Sequence, residues 1–119
     1  MMTKEHNQRI TQVGPGTPCG EMLRRYWHAL CASAEVTPEK PKKRVRIMGE
    51  NLLVLRTPTG EYVCIEEHCP HRRASFYLGF LEPDGIRCCY HGWKYDYAGQ
   101  CVEQPFEQKK FCEKVKVKT

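Results

Sequence analysis

Long apolar runs are missing from this chain. Its longest aliphatic stretch is Leu52-Leu53-Val54-Leu55, whereas a membrane-spanning helix needs about 20 apolar residues in a row. The opening stretch Met1–Arg9 is polar and lacks the apolar centre of a secretory signal. No membrane association is expected, and the expected location is the cytoplasm. There is no internal repeat and no low-complexity tract, which excludes solenoids and simple disordered linkers. Aspartate occurs only at positions 84 and 96, and there are five histidines, so the chain can build few metal or acid–base sites. Lysine and arginine outnumber aspartate and glutamate by 19 to 14, a net charge of +5. That excess suits an acidic partner surface, and no aromatic-rich basic face accompanies it to suggest nucleic acid. At 119 residues the chain is one small domain with a modest core.

Cysteine, by contrast, is plentiful. Eight cysteines without a secretory signal and without even framing argue for a reducing compartment and metal-bound thiolates rather than a disulfide scaffold. Two short stretches carry the chemistry. Cys69-Pro70-His71 and Cys88-Cys89-Tyr90-His91 each offer one thiolate and one imidazole, with sixteen residues between His71 and Cys88. A Rieske 2Fe-2S cluster needs this donor set, since two Cys hold one iron and two His the other. Tetrahedral zinc accepts the same donors, so spacing alone leaves both open. The remaining cysteines, at 19, 31, 64, 89, 101 and 112, read mostly as small buried hydrophobes.

Residues 1–13 carry no pattern and read as an irregular arm. Thr17 can cap a helix that Pro18 opens, and Met22, Leu23, Tyr26, Trp27 and Leu30 recur at helical spacing, which predicts an amphipathic helix over 18–31. Residues 37–43 form a charged, proline-containing linker. From Arg44 the period becomes strand-like. Residues 51–57 and 61–66 make a hairpin around Pro58-Thr59-Gly60, a short strand pair precedes Cys88, and 94–97 with 100–102 form another hairpin over Ala98-Gly99. The end, Glu113–Thr119, alternates apolar with basic residues and predicts an edge strand with its lysines toward water.

Cys69-Pro-His-Arg-Arg-Ala-Ser, then Cys88-Cys-Tyr-His-Gly-Trp-Lys-Tyr-Asp, then Gly99-Gln-Cys-Val resemble the Rieske domain of ring-hydroxylating oxygenases. Gly16-Thr-Pro-Cys-Gly-Glu-Met-Leu-Arg-Arg-Tyr-Trp-His resembles the N-terminal helix of their phthalate-dioxygenase-like branch. The resemblance covers most of residues 14–104. It implies a mainly β fold: a Rieske-type domain of antiparallel sheets with a cluster-binding subdomain at about 66–96, within a body 44–119, preceded by an arm, one N-terminal α-helix and a linker at 1–43. It implies a 2Fe-2S cofactor held by Cys69, His71, Cys88 and His91. Tyr90 and Trp93 can shield the cluster. This chain departs from respiratory Rieske proteins in having Ala74 where they carry an extra Cys, and Trp93 where they carry Ser, while Tyr95 stands where their second hydroxyl donor stands. Fewer donors to sulfur predict a midpoint in the lower part of the range of about −150 to +300 mV. Within the family the slot of Arg73 is often Gly.

The resemblance implies one-electron transfer. A reductase or ferredoxin supplies electrons, and a mononuclear Fe(II) held by two His and a carboxylate in a following catalytic domain, or in a neighbouring subunit of a homotrimer, receives them. That second iron is expected only in a domain absent here, because His6, His28 and His68 are the only other histidines. The chain thus reads as the N-terminal part of an oxygenase α subunit, an oxidoreductase only as part of that whole. Two other readings stay open: a freestanding Rieske ferredoxin and a zinc-binding module. The oxygenase substrate is not legible in these residues.

Overall fold

The computed structural model describes all residues 1–119 and is built on two small antiparallel sheets. The first contains β1 (Lys42–Ile47), β2 (Glu50–Arg56) and β3 (Tyr62–Glu66) in that order. Met48 and Gly49 both take positive φ, 48° and 78°, which gives the β1–β2 turn a twist that matches the strands. The second sheet is a meander of β4 (Phe80–Glu82), β5 (Gly85–Arg87), β6 (Lys94–Asp96) and β7 (Cys101–Glu103), with a register shift at Lys94/Tyr95. The two loops singled out in the sequence leave the ends of β3 and β5.

One core joins the sheets. Leu53, Leu55 and Ile65 from the first meet Phe76, Ile86, Trp93, Tyr95 and Cys101, and Cys69 and Cys88 belong to the same cluster. The Tyr95 ring meets Phe76 edge-on at 5.3 Å. The C-terminal segment straps the sheets together. Cys101 N donates to Val115 O at 3.0 Å, Val117 N to Gly99 O at 2.8 Å, and Glu66 N to Lys118 O at 2.8 Å. Val117 is buried between them while Lys114, Lys116 and Lys118 face water. The expected alternation is therefore present, but the regular edge strand is not. Cys112–Lys114 forms a 3-10 turn, and a single bridge pairs Gln100 with Lys116.

The N-terminal region differs from expectation in two ways. Residues expected to be irregular form a helix, α1 (Lys4–Thr11), capped by the Thr3 hydroxyl accepting from His6 N, with no buried residue. The helix expected over 18–31 is instead α2 (Pro18–Leu23), capped by Thr17 as anticipated and closed by a turn to Tyr26. A helix of this length holds in water mainly through the packing of its apolar face. Here Met22 and Tyr26 are more than half exposed and Trp27 completely so. The His28 ring sits 2.8 Å from the Leu23 carbonyl near the helix end.

Candidate functional site

Both loops are closed by the same backbone device. Cys69 N donates to Ala74 O and Cys88 N to Trp93 O, each at 2.8 Å. Four residues after each cysteine the chain turns back, Arg73 N donating to Cys69 O at 2.9 Å and Gly92 N to Cys88 O at 3.1 Å. At those turning positions φ is positive, 58° at Arg73 and 72° at Gly92. Glycine adopts that backbone freely and arginine does so at a cost. This geometry explains why the Arg73 slot suits glycine. At Gly92 a Cβ would also stand 3.2 Å from the Pro105 ring.

The loops bring the four candidate residues together in pairs. The thiols of Cys69 and Cys88, 1% and 4% exposed, lie within hydrogen-bonding reach of each other. The His71 and His91 rings, farther out, are 4.8 Å apart between centroids. Backbone N–H groups of Tyr90 and His91 point at the Cys88 sulfur, and the Tyr95 hydroxyl lies 3.5 Å from the Cys69 sulfur. Trp93 is buried and stacks on His71, with centroids 4.1 Å apart and planes 6° apart. Tyr90 lies 3.8 Å from the His91 ring but is 59% exposed, so only Trp93 gives the cover expected of both aromatics.

Before a metal is bound, the electrostatics favour ligation at the imidazole and oppose it at the buried thiol, whose thiolate the metal's own charge must stabilise. Burial first, then the neighbouring Cys69, pushes the Cys88 thiol up, while the two backbone N–H groups oppose this. Burial, then the adjacent His91 and Arg72, pushes His71 down and keeps its imidazole neutral, the form that ligates. Burial also raises Tyr95, ahead of its contact with Cys69, so its hydroxyl keeps its proton and can donate to sulfur. His91 Nδ1 is buried with no hydrogen-bond partner. A buried ring nitrogen without a partner costs about 1–3 kcal/mol, and a metal ion would remove that cost. Donors that come two and two suit a pair of metal atoms better than one tetrahedral ion.

The family comparison decides between the two metal readings. A family profile described as the Rieske 2Fe-2S domain matches residues 26–118. The chain belongs to that family. Its cofactor is therefore the Rieske 2Fe-2S cluster, and the zinc reading falls. Among curated relatives, the 5,5'-dehydrodivanillate O-demethylase oxygenase subunit of Sphingobium sp. (strain NBRC 103272 / SYK-6) is 49% identical over 107 residues, 90% of this chain and 25% of that protein. The phthalate 4,5-dioxygenase oxygenase subunit of Pseudomonas putida is 41% identical over 119 residues, 98% of this chain and 27% of the relative. The solved structure of Pseudomonas putida CBB5 NdmA with caffeine superposes with a TM-score of 0.72 at 33% identity, covering 82% of this chain and 30% of that one. This Rieske chain spans about a quarter of the length of the curated relatives it matches. No helix is long and apolar enough to cross a membrane.

Sequence reasoning missed the residues that brace the Rieske site. Gln100 Nε2 donates to the carbonyls of Cys112 and Val115, and fully buried Gln104 accepts from Phe111 N. Arg87 and Lys94 sit in a cluster with Glu82, Asp84 and Glu103. Their partners lie across turns at irregular separations, five residues for Arg87 with Glu82 and seven for Gln104 with Phe111, so no fixed local spacing marks them. The extra cysteines also differ from expectation. Only Cys101 is fully buried, its thiol pushed up to about 12 by burial and then by Cys112, while Cys89 is exposed.

Proposed function

We propose that Cys69 and Cys88 hold one iron of the cluster and His71 and His91 the other, and that the chain is the electron-transferring N-terminal part of a ring-hydroxylating oxygenase α subunit. The pairing of two buried thiols with two outer imidazoles, one of them bearing a partnerless buried nitrogen, carries this reading. When bound, the cluster supplies reversible one-electron chemistry. The protein's own residues do the rest. Trp93 excludes water beside His71, Tyr95 and the loop amides offer hydrogen bonds to sulfur, and the half-exposed imidazoles give a partner access.

The donor is a reductase or ferredoxin. The acceptor is a mononuclear iron in a following domain, or in a neighbouring subunit of a homotrimer. Relatives about four times as long, named as oxygenase subunits, support this, as does the exposed apolar face of Tyr26 and Trp27. Division into an arm and linker at 1–43 and a Rieske body at 44–119 is supported by burial, since only Gly20 and Val36 are buried before residue 44. The cluster-binding subdomain is then about 66–96.

The test is direct. Purified protein should contain iron and acid-labile sulfide and give a rhombic EPR signal on reduction, and Cys69→Ser or Cys88→Ser should abolish both. Wild-type protein without sulfide refutes the assignment. Coding sequence running about 300 residues past Thr119, the size of a second, larger domain, supports the oxygenase reading. A stop codon there makes the chain a freestanding carrier.

A further inference from the structure

The second loop is held from outside by a single guanidinium. Arg87 ends β5 immediately before Cys88, and its side chain turns back across the loop. Its Nη1 donates to the Gly92 carbonyl at 2.9 Å, a group that the left-handed turn at Gly92 directs out of the loop. The rest of the fork is gripped by carboxylates. Nε and Nη2 donate to the two oxygens of Glu82 on β4 at 2.6 and 3.2 Å, and Nη2 lies 2.9 Å from Glu103 on β7. Behind it Lys94 Nζ lies 2.8 Å from Glu82, 2.7 Å from Asp84 and 3.8 Å from Glu103.

We propose that Arg87 is a positioning residue that latches the loop bearing Cys88 and His91 to the outer strands of the second sheet and thereby sets both the retention and the potential of the cluster. The inference rests on the ligand assignment above. Its geometric content is that one side chain joins three elements, β4, β7 and the loop. Only a planar fork of fixed donors can do this; an ammonium has the charge but cannot span the three positions. Fixing the Gly92 carbonyl fixes the peptide plane between Gly92 and Trp93. That plane lies one residue beyond His91 and carries the amide of the residue stacked on His71. Groups that orient metal ligands from behind are worth about 10–100-fold in metal retention.

Charge gives a second, separable effect. Arg87 and Lys94 against Glu82, Asp84 and Glu103 sum to −1, and without Arg87 the group carries −2. A more negative surround opposes the added electron.

The variants are Arg87→Gln and Arg87→Lys in the holoprotein. Three quantities are read: the potentiometric midpoint, the rate of cluster loss to a chelator, and hydrogen exchange at the Gly92 and Trp93 amides. Arg87→Gln should shift the midpoint negative, speed cluster loss about tenfold and speed exchange. Arg87→Lys should restore most of the midpoint while cluster loss and exchange stay fast, a split that general destabilisation does not produce. Wild-type values for cluster loss and exchange in both variants overturn the proposal. If Arg87→Gln does not fold, Arg87→Lys alone decides it. If wild-type protein holds no cluster, the ligand assignment has failed instead, and unchanged amide exchange in the variants then overturns the latch as well.

Discussion

At the scale of single residues, Tyr95 and Arg73 have opposite consequences. The Tyr95 hydroxyl, kept protonated by burial, faces the Cys69 sulfur at 3.5 Å. Tyr95→Phe preserves the ring packed on Phe76 and removes one donor worth about 1 kcal/mol. Stabilisation of the reduced state falls by that amount, so the midpoint should drop by about 40 mV in a potentiometric titration, at 59 mV per tenfold for one electron. Arg73 occupies a left-handed backbone position and forms an exposed ion pair with Glu66 at 2.6 Å. Relief of about 1–2 kcal/mol of strain outweighs the loss of a surface pair and the added freedom of the unfolded chain. Arg73→Gly should therefore raise stability by about 0.5 kcal/mol in urea unfolding. The four candidate ligands were legible because Cys-x-His and Cys-x-x-His are local patterns. Arg87, Lys94 and Gln104 were not, because their roles exist only once β4, β5, β7 and the C-terminal segment are side by side.

At the scale of elements, hairpins could be read whole, whereas the helix after Thr17 could be read at its start and not in its length. Pro58-Thr59-Gly60 and Ala98-Gly99 mark turns through their own backbone preferences, and strands flank both. The 18–31 periodicity was real as a pattern, but a pattern becomes a helix only where its apolar face meets something. Tyr26 is two-thirds exposed and Trp27 wholly so, and the helix stops at Leu23. It follows that Trp27→Ala should leave the thermal midpoint of the 119-residue protein unchanged, within the ±0.5 kcal/mol usual for surface positions. A larger loss would mean that the segment folds back onto the body. The N-terminal helix Lys4–Thr11 escaped notice for the converse reason: with no buried residue it has no apolar period to detect.

For the whole molecule, the Cα radius of gyration is 17.0 Å, against about 13.5 Å for a compact chain of this length. The excess is consistent with an N-terminal arm that buries little of itself. Cohesion of the body depends on the C-terminal strap. Val117, 1% exposed, plugs the space between the sheets, and Val117→Ala should cost about 2 kcal/mol in chemical unfolding. Acid should weaken the second sheet through Glu82, whose carboxyl is held down at about 2 by Arg87 and then Lys94. A carboxylate depressed in the folded state stabilises it at neutral pH. That contribution declines once pH falls below the ordinary value of 4.5 and is gone below about 2. The thermal midpoint of Glu82→Gln should therefore fall less steeply with pH than that of the wild type across this window.

Cys69 and Cys88 are counted among the core's own side chains. If they are the iron ligands, inorganic chemistry and protein folding share one foundation here. A cell short of iron or sulfide would then make a polypeptide whose centre cannot finish closing, so that supply of the two elements, as much as synthesis of the chain, would govern how much of it survives proteolysis.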